Sequence, residues 1–294
     1  MMNKYLIFMS DKAGVLPVLC KNMNNKHFRK VYKDSCNFKG FIYRAIRKSK
    51  TSLISVYFGK WKNEDIKDVE TIIVFDSAYN PYAVKIMRNK CKDCKIILYY
   101  WNHINEHSKK FLEDKNIDEF WTFDTSDAKK YNVNYNSQFY TKNIELERND
   151  FIYDVLFLGR AKNREEILLD LSDKLKQRGI NSKNIIIENE KDFVPYEEYL
   201  KLLPKTKVIL DIVDGKQAGL TLRPMEALFF NKKLITNNLD IVNYDFYNPN
   251  NIFILGKDDI SNIKQFIDSS YEPVNEEIVN YYDFEEWVKR FSLE

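Results

Sequence analysis

Cysteine is scarce in this sequence, which has four cysteines among 294 residues. So few cysteines do not make a disulfide framework in a chain of this length, and we expect a reducing, cytoplasmic environment. Cys91 and Cys94 have the spacing of a metal-binding pair, but the sequence lacks a second pair at zinc-finger spacing. We therefore expect no bound metal.

Long apolar runs are also missing. The run from Tyr5 to Met9 is soon followed by Ser10 and Asp11, and it is too short for a signal peptide or a membrane span. Elsewhere nothing approaches the roughly 18 uninterrupted apolar residues that a membrane helix needs. We expect any contact with lipid to be peripheral.

An excess of charge of one sign is absent as well. The chain has 46 Lys and Arg against 43 Asp and Glu, a net charge of +3, which predicts no nucleic-acid partner. Cations nevertheless crowd residues 26–62, where we expect an anionic partner, such as an acidic acceptor or the inner face of the membrane. A solvated lysine-rich face is the alternative. These cations are Lys26, Arg29, Lys30, Lys33, Lys39, Arg44, Arg47, Lys48, Lys50, Lys60 and Lys62.

Short apolar runs alternate with helical patterns along the whole chain, which predicts parallel α/β layers. In the first half we predict strands at 6–9, 52–58, 71–75, 95–100, 119–123 and 137–140. In the second half we predict them at 154–159, 184–187, 207–213, 233–236 and 251–255. A charged segment, 142–150, separates the halves, so we predict domains at 1–150 and 151–294. A final helix at 275–291 could cross back to the first domain.

Two segments of the second half lie just after predicted strands, where open parallel sheets bind ligands. In the first, Gly159 permits close backbone approach, while Arg160 and Lys162 suit a diphosphate. In the second, Gly219 and Thr221 form a polar loop at a predicted helix amino terminus, a place that favours phosphate oxygens. A turn glycine and ordinary helix-start residues are the alternatives.

The segment QAGLTLRPMEALFFNKKLITNN, residues 217–238, resembles the nucleotide-binding segment of bacterial GT-B glycosyltransferases of capsule and lipopolysaccharide assembly. Many of that superfamily carry two glutamates in a pattern like E-G-F-G-x-x-x-x-E-A, and the second glutamate binds the ribose. Glu226 matches the second glutamate and Gly219 matches the glycine after the first. Gln217 or Ala218 stands where the first glutamate would be, which departs from the paired pattern of retaining enzymes.

Gly159 and Arg160 similarly resemble the family's Gly-Arg after the first strand of the carboxyl-terminal domain, with Lys162 near its basic position. The resemblance implies two Rossmann-like domains facing across a cleft, the second binding a nucleotide sugar, by default a UDP-sugar. It implies no cofactor, and it implies a glycan or lipid-linked acceptor. The donor-binding residues would be Gly159, Arg160, Lys162, Gln217, Gly219, Thr221, Arg223 and Glu226, with Arg223 on the phosphates.

The first half would then supply the acceptor site and the catalytic base. Asp76 and His103 each follow a predicted strand and are our candidates for that base, although strand-end polar residues also cap helices. The Asp-x-Asp of metal-dependent, single-domain glycosyltransferases is missing, so we expect metal-independent transfer. The segment from His103 to His107 matches the H-x-x-E-H of one metalloprotease class, but a third metal ligand is not evident.

Three other functions remain as alternatives. A nucleotide-sugar epimerase or hydrolase could use the same scaffold, because fold alone does not settle the reaction. A non-catalytic subunit could keep the donor site and lack a base. An NAD-dependent dehydrogenase is disfavoured, because no G-x-G-x-x-G follows the strand at 6–9 or the strand at 154–159.

Overall fold

The structure is a computed structural model that describes residues 5–9, 15–23, 26–33, 52–160, 164–213 and 219–291. The chain divides into two compact units. Unit 1 comprises Met1–Ser137 and Val288–Glu294, and unit 2 comprises Gln138–Trp287. Residue 150, the boundary that the sequence suggested, lies inside unit 2, because the segment before it packs there: the ring of Tyr140 contacts Phe229 and Phe230.

Unit 1 contains a parallel sheet with the strand order β2-β1-β3-β4-β5-β6. Its central strands are mostly apolar because both faces of the sheet are covered, as parallel sheets require; every residue of β1 and β3 is buried. The strands are β1 Tyr5–Met9, β2 Phe28–Lys30, β3 Thr71–Phe75, β4 Lys95–Tyr100, β5 Glu119–Thr122 and β6 Asn134–Tyr135.

Helices connect several of these strands. The second begins after Asn80, whose side chain accepts hydrogen bonds from the amides of Tyr82 and Ala83, while Pro81 fits the first helical turn. The α-helices of unit 1 are α1 Val15–Asn22, α2 Pro81–Lys90 and α3 Thr125–Tyr131. Short 3₁₀ helices lie at Ser52–Tyr57, Lys60–Asn63, Asp76–Ala78 and Ser108–Glu113.

Two predicted strands of the first half are wrong. Residues 52–57 form a 3₁₀ helix in which Ile54 is buried while Leu53 is 78% exposed. Val56, which the alternation of a strand would place on the same face as Ile54, is 54% exposed, and Phe58 forms an isolated bridge with Tyr32. Residues 137–140 do not form a strand, and Tyr140 makes only an isolated β-bridge with Asp283. The outer strand next to β5 is instead formed by β6.

Unit 2 contains a second parallel sheet, with the strand order β11-β10-β9-β7-β8. Counted from the first strand of the unit, this order is 2-1-3-4-5, the doubly wound arrangement of flavodoxin-like sheets. The strands are β7 Tyr153–Arg160, β8 Ser182–Ile187, β9 Thr206–Asp211, β10 Lys233–Thr236 and β11 Ile252–Ile254. All five were expected from the sequence.

The helices of unit 2 are α4 Glu165–Gln177, α5 Tyr196–Leu200, α6 Leu222–Phe229, α7 Ile263–Asp268, α8 Glu276–Tyr282 and α9 Phe284–Lys289, of which α9 extends into the final segment of unit 1. Short 3₁₀ helices lie at Glu190–Asp192, Leu203–Lys205, Leu239–Asn243 and Ile260–Asn262. The single helix predicted at 275–291 is therefore two helices. They are separated at Asp283, whose backbone is extended, with ψ of 145°.

Helices cover both faces of the unit 2 sheet. On one face, α4 and α7 bury Leu171 and Phe266 against Phe157 and Leu210 of the strands. On the other face, Leu228 of α6 lies beside Leu234. The amino terminus of α6 therefore lies at the carboxyl edge of the sheet.

The last described residues belong to unit 1. Phe291 packs edge-on against Trp121 with ring centroids 4.9 Å apart, and Arg290 donates to the side chains of Asn136 and Ser137. Among the described residues, no helix has both the length and the apolar character needed to span a membrane. Five cations of the predicted basic surface lie outside the described residues, namely Lys39, Arg44, Arg47, Lys48 and Lys50.

Candidate functional site

The unit 2 sheet has a topological switch point between β7 and β9. From β7 the chain continues to β8 on one side, while β9 and the later strands lie on the other, so a crevice opens beyond the carboxyl ends of β7 and β9. Arg223, in the first turn of α6, reaches this place, and its Nη2 donates to the carbonyl oxygen of Leu158 over 3.0 Å. The two segments that the sequence indicated are thereby joined.

Thr221 fixes the start of α6 at this edge. Its Oγ1 accepts from the amide of Arg223 over 3.2 Å, which caps the helix, and donates to Oδ1 of Asp211 over 2.9 Å. Asp211 is the last residue of β9. Thr221 therefore ties the helix amino terminus to a strand end.

Asp211 is 3% exposed, and this burial raises the pKa of its carboxyl to about 6. The hydrogen bond from Thr221 and the charges of Arg223 and Arg164 act in the opposite direction. Burial has the larger effect, because the hydrogen bond and the two positive charges replace only part of the hydration that the carboxylate loses. A proton-binding group thus lies at the base of the crevice.

Arg223 and Glu226 form an ion pair one helical turn apart. Nη1 lies 2.6 Å from Oε2, the Arg223 side chain is 17% exposed and the Glu226 side chain is fully buried. Burial acts to lower the pKa of the Arg223 guanidinium, but the carboxylate of Glu226 overrides it and holds that pKa above its usual value. The Arg223 side chain is therefore held in its charged form beside Glu226.

Two tyrosines complete the coordination of Glu226. The hydroxyl of Tyr196 donates to Oε1 over 2.7 Å, and that of Tyr199 donates to Oε2 over 3.0 Å. The Tyr196 hydroxyl also lies 2.6 Å from the hydroxyl of Tyr140. Burial and then the charge of Glu226 raise the pKa of Tyr196, so it stays protonated as a donor.

The sequence prediction did not include these tyrosines. Tyr196 and Tyr199 are three positions apart on α5, a spacing that places both on one helix face, and this was the signal that could have indicated them. Tyr199 also stacks its ring under the guanidinium of Arg223, 4.1 Å from the ring centroid. The two oxygens of Glu226 thus accept three hydrogen bonds within the protein, and a ribose hydroxyl would have to replace one of them.

The remaining predicted donor residues lie around the same edge where the structure describes them. Arg160 ends β7 with an exposed side chain, and its carbonyl accepts from Nη2 of Arg164 over 2.9 Å. A Cβ added to Gly159 would lie 3.0 Å from the Phe157 ring, so a larger residue there would require this ring to shift. Gly219 is buried beside the start of α6. Lys162 and Gln217 lie outside the described residues.

Asp76, the first candidate base, follows β3 in unit 1 and is 7% exposed. Its Oδ1 accepts from the amide of Trp101 over 3.1 Å, and its Oδ2 accepts from the side chain of Asn102 over 3.0 Å. These bonds fix the loop that follows β4. The carboxylate therefore has a structural role within the unit.

His103, the second candidate, follows β4 and faces two carboxylates. Its Nδ1 lies 3.4 Å from Oδ2 of Asp124 and 3.5 Å from Oδ2 of Asp127. The H-x-x-E-H match is not helical, because residues 103–105 lack regular structure and 106–107 form a turn. His103 and His107 therefore do not share a helix face, and the metalloprotease alternative loses its basis.

Comparisons with known proteins leave the family open. No protein-family model and no curated protein matches this sequence. Among solved structures, a glycosyltransferase from Rickettsia africae ESF-5 is 9% identical, with 99% of this chain and 97% of that chain covered and a TM-score of 0.49. A 3-phosphoglycerate dehydrogenase from Entamoeba histolytica is 12% identical, with 90% and 92% covered and a TM-score of 0.20. Likenesses at these identities and TM-scores assign neither fold nor function.

Proposed function

We propose that this chain is a glycosyltransferase of the GT-B type, which moves a sugar from a nucleotide-sugar donor to a glycan or lipid-linked acceptor in cell-surface polysaccharide synthesis. The observation that carries the proposal is the hydrogen bond from Arg223 to Leu158. It joins two segments 65 positions apart, each of which resembles a donor-binding segment of that family. The bond lies at the switch point of a doubly wound sheet, where such sheets bind nucleotides.

The geometry supports different roles for Arg160 and Arg223. Arg160 is exposed at the end of β7, whereas Arg223 is engaged with Glu226 and Leu158. Arg160 would therefore contact the diphosphate first, and Arg223 would add its positive charge at the same edge of the sheet. Fixed cations of this kind stabilise a leaving diphosphate without a metal at that position.

The proposed ribose contact of Glu226 requires an exchange of partners. A ribose hydroxyl and a tyrosine hydroxyl donate the same kind of hydrogen bond to a carboxylate. The hydroxyl of Tyr199 is the one to be replaced, because its bond to Oε2 is 3.0 Å long whereas that of Tyr196 to Oε1 is 2.7 Å. Donor binding would then cost one internal hydrogen bond and gain one with the ligand.

Calorimetry with UDP, GDP, CMP and dTDP tests the donor site. We expect one of these nucleotides to bind, and we expect Arg160→Ala to weaken its binding about tenfold or more, since a charge-assisted contact is worth about 1.5–3 kcal/mol. Arg148→Ala is the matched control, because Arg148 is an exposed arginine that precedes β7. Equal affinities for the two variants, or no binding of any nucleotide to the wild type, would remove the proposed site.

The reaction itself is tested by its products. A transferase forms a glycosylated product only when an acceptor is present, whereas a hydrolase releases free sugar and an epimerase converts the donor without one. Asp76 and His103 remain our candidates for the residue that takes the acceptor proton. Asp76→Asn and His103→Gln are therefore to be compared at saturating donor, and a variant that keeps wild-type turnover is not the base.

A further inference from the structure

Three side chains meet at the carboxyl edge of the unit 1 sheet. His103 comes from the loop after β4, Asp124 lies between β5 and α3, and Asp127 lies in the first turn of α3. Their nearest ligand atoms, Nδ1 of the imidazole and an oxygen of each carboxylate, all lie within 4.8 Å of one another. Two strands and a helix start thus bring one nitrogen and two oxygen donors together.

Hydrogen bonding within the cluster does not account for this arrangement. The distances from Nδ1 of His103 to Oδ2 of Asp124 and Asp127 are 3.4 and 3.5 Å, longer than the roughly 2.7–3.2 Å of an N–H···O bond. Oδ2 of Asp124 is buried without a hydrogen-bond partner, in a side chain that is 2% exposed. A buried carboxylate oxygen in this state needs a partner.

The separations match those between ligands of one small cation. In a tetrahedral zinc site with bonds of about 2.1 Å, two ligand atoms lie about 3.4 Å apart. The two separations measured from His103 are 3.4 and 3.5 Å. These two separations fit one metal ion bound by the imidazole and by each carboxylate, whose own oxygens lie within 4.8 Å of each other.

Charge favours the same occupant. The side chains of Asp124 and Asp127 are 2% and 12% exposed, so two nearby carboxylates are largely removed from water. Such a pair is unfavourable unless a cation or a proton offsets its charge. A divalent ion balances both charges at once.

The two carboxylates are held in place by the backbone. Oδ1 of Asp124 accepts from the amide of Asp127 over 2.8 Å, and Oδ2 of Asp127 accepts from the amide of Ile104 over 2.8 Å. Hydrogen bonds of this kind orient metal ligands and reduce the entropy lost on binding. The site is thus preorganised without its ion.

We propose that His103, Asp124 and Asp127 bind one divalent transition-metal ion of the zinc class. The imidazole ligand disfavours Mg²⁺ and Ca²⁺, which prefer oxygen ligands. Three protein ligands leave the fourth position of a tetrahedral zinc site for water, as in catalytic zinc sites, and the His103 side chain is 39% exposed. A metal on Nδ1 would make His103 a ligand, which leaves Asp76 as the candidate for the catalytic base. This inference does not depend on glycosyl transfer, and it departs from the absence of metal expected from the sequence.

Calorimetry with Zn²⁺ alone, on the full chain treated with a chelator and dialysed, tests the proposal. We expect one ion per chain, and at least about a hundredfold weaker binding in His103→Gln and in Asp124→Asn. Asparagine keeps the helix cap of Asp124 while removing its charge, so this variant is expected to fold. His107→Gln is the matched control, because His107 is an exposed imidazole four positions along the chain.

The same variants test whether zinc binds instead to Cys91 and Cys94, whose spacing also suits a metal. Zinc held by Cys91 and Cys94 would be retained in His103→Gln and Asp124→Asn. Retention of wild-type zinc affinity in folded variants, or no binding to the wild type below about millimolar concentration, overturns the proposal. Circular dichroism of each variant without metal checks that it is folded. The readout is zinc binding, so the outcome is independent of whether the nucleotide experiment succeeds.

Discussion

Arg223 and Glu226 are bound to each other, with Nη1 of the arginine 2.6 Å from Oε2 of a glutamate that is fully buried. The sequence suggested that each would bind a different part of a ligand. In the structure each is the counterion of the other, and Tyr196 and Tyr199 close the network around the carboxylate. On the function that we propose, we therefore expect stability and donor binding to be coupled through one cluster of side chains.

Replacing Glu226 with Gln is expected to destabilise the protein strongly. The amide keeps one acceptor oxygen but leaves the Arg223 guanidinium buried without a counterion, and breaking a buried pair in this way costs about 3–5 kcal/mol. Urea titration followed by circular dichroism measures the loss. Glu198→Gln is the control, since Glu198 pairs with Lys201 on the surface, where an ion pair contributes about 0–1 kcal/mol. Similar values for the two variants would contradict the structural role of the pair.

Tyr199→Phe tests our proposal that a ribose hydroxyl replaces the Tyr199 hydroxyl on Glu226. Loss of the hydroxyl frees Oε2 of Glu226 from one internal partner, so the donor no longer has to displace it. We expect tighter nucleotide binding by about 1 kcal/mol, or roughly fivefold, together with a loss of about 1 kcal/mol in the free energy of unfolding. Calorimetry and urea titration measure the two effects. Tyr247→Phe, a half-buried tyrosine of the same unit, is the control, and weaker binding by Tyr199→Phe would mean that its hydroxyl contacts the ligand itself.

The strands of the second half could be predicted because each is an apolar run bounded on both sides by residues that end strands. Burial inside a parallel sheet requires such runs, and β7 and β9 are examples. Residues 52–58 have the same composition, yet Phe58 and Ile54 are buried at a spacing of four, which a short apolar run does not reveal. Composition alone therefore separates buried strands poorly from short helical turns.

The candidate site could be predicted only in part. Thr221, Arg223 and Glu226 are close in sequence, so a motif contains them and their convergence follows from one helix turn. Tyr196 and Asp211 join them from separate elements, and only the folded sheet brings those elements together. The same holds for His103 and Asp124, whose Nδ1 and Oδ2 atoms lie 3.4 Å apart at two strand ends. Each was visible as a strand-end polar residue, but their shared position was not.

Replacing Asp211 with Asn is expected to stabilise the protein at neutral pH. Burial raises the pKa of Asp211 to about 6, against about 3.9 in the unfolded chain. Between these values the native state keeps a proton that the unfolded state has released, so stability falls as pH rises from about 4 to 6 and stays lower above it. Asparagine can keep the hydrogen bonds to Thr221 and Thr236 without a charge.

We therefore expect Asp211→Asn to be more stable than the wild type by about 2–3 kcal/mol at pH 7.5, with the difference vanishing near pH 4. Urea titrations at several pH values measure this. Asp173→Asn, an exposed carboxylate on α4, serves as the control and should show no such trend. A constant difference between pH 4 and 7.5 would show that Asp211 ionises normally.

The double variant Arg223→Met, Glu226→Gln distinguishes the structural role of the ion pair from its role toward the donor. Each single change leaves the other residue buried without its counterion, whereas the double change removes both charges. The double variant should therefore be more stable than the sum of the two single losses predicts, by about 2 kcal/mol, within the range for residues in direct contact. Additive losses would mean that the pair is not energetically coupled.

The same double variant is expected to bind the nucleotide at least about tenfold more weakly than the wild type, a loss of about 1.4 kcal/mol or more. The physical reason is that the double change removes both the charge that we propose acts on the diphosphate and the carboxylate that we propose binds the ribose, while the neutral network still holds the fold. Calorimetry on the folded double variant measures this loss directly. Wild-type affinity in that variant would return Arg223 and Glu226 to a purely structural role, and the donor would then have to be sought around Arg160 alone.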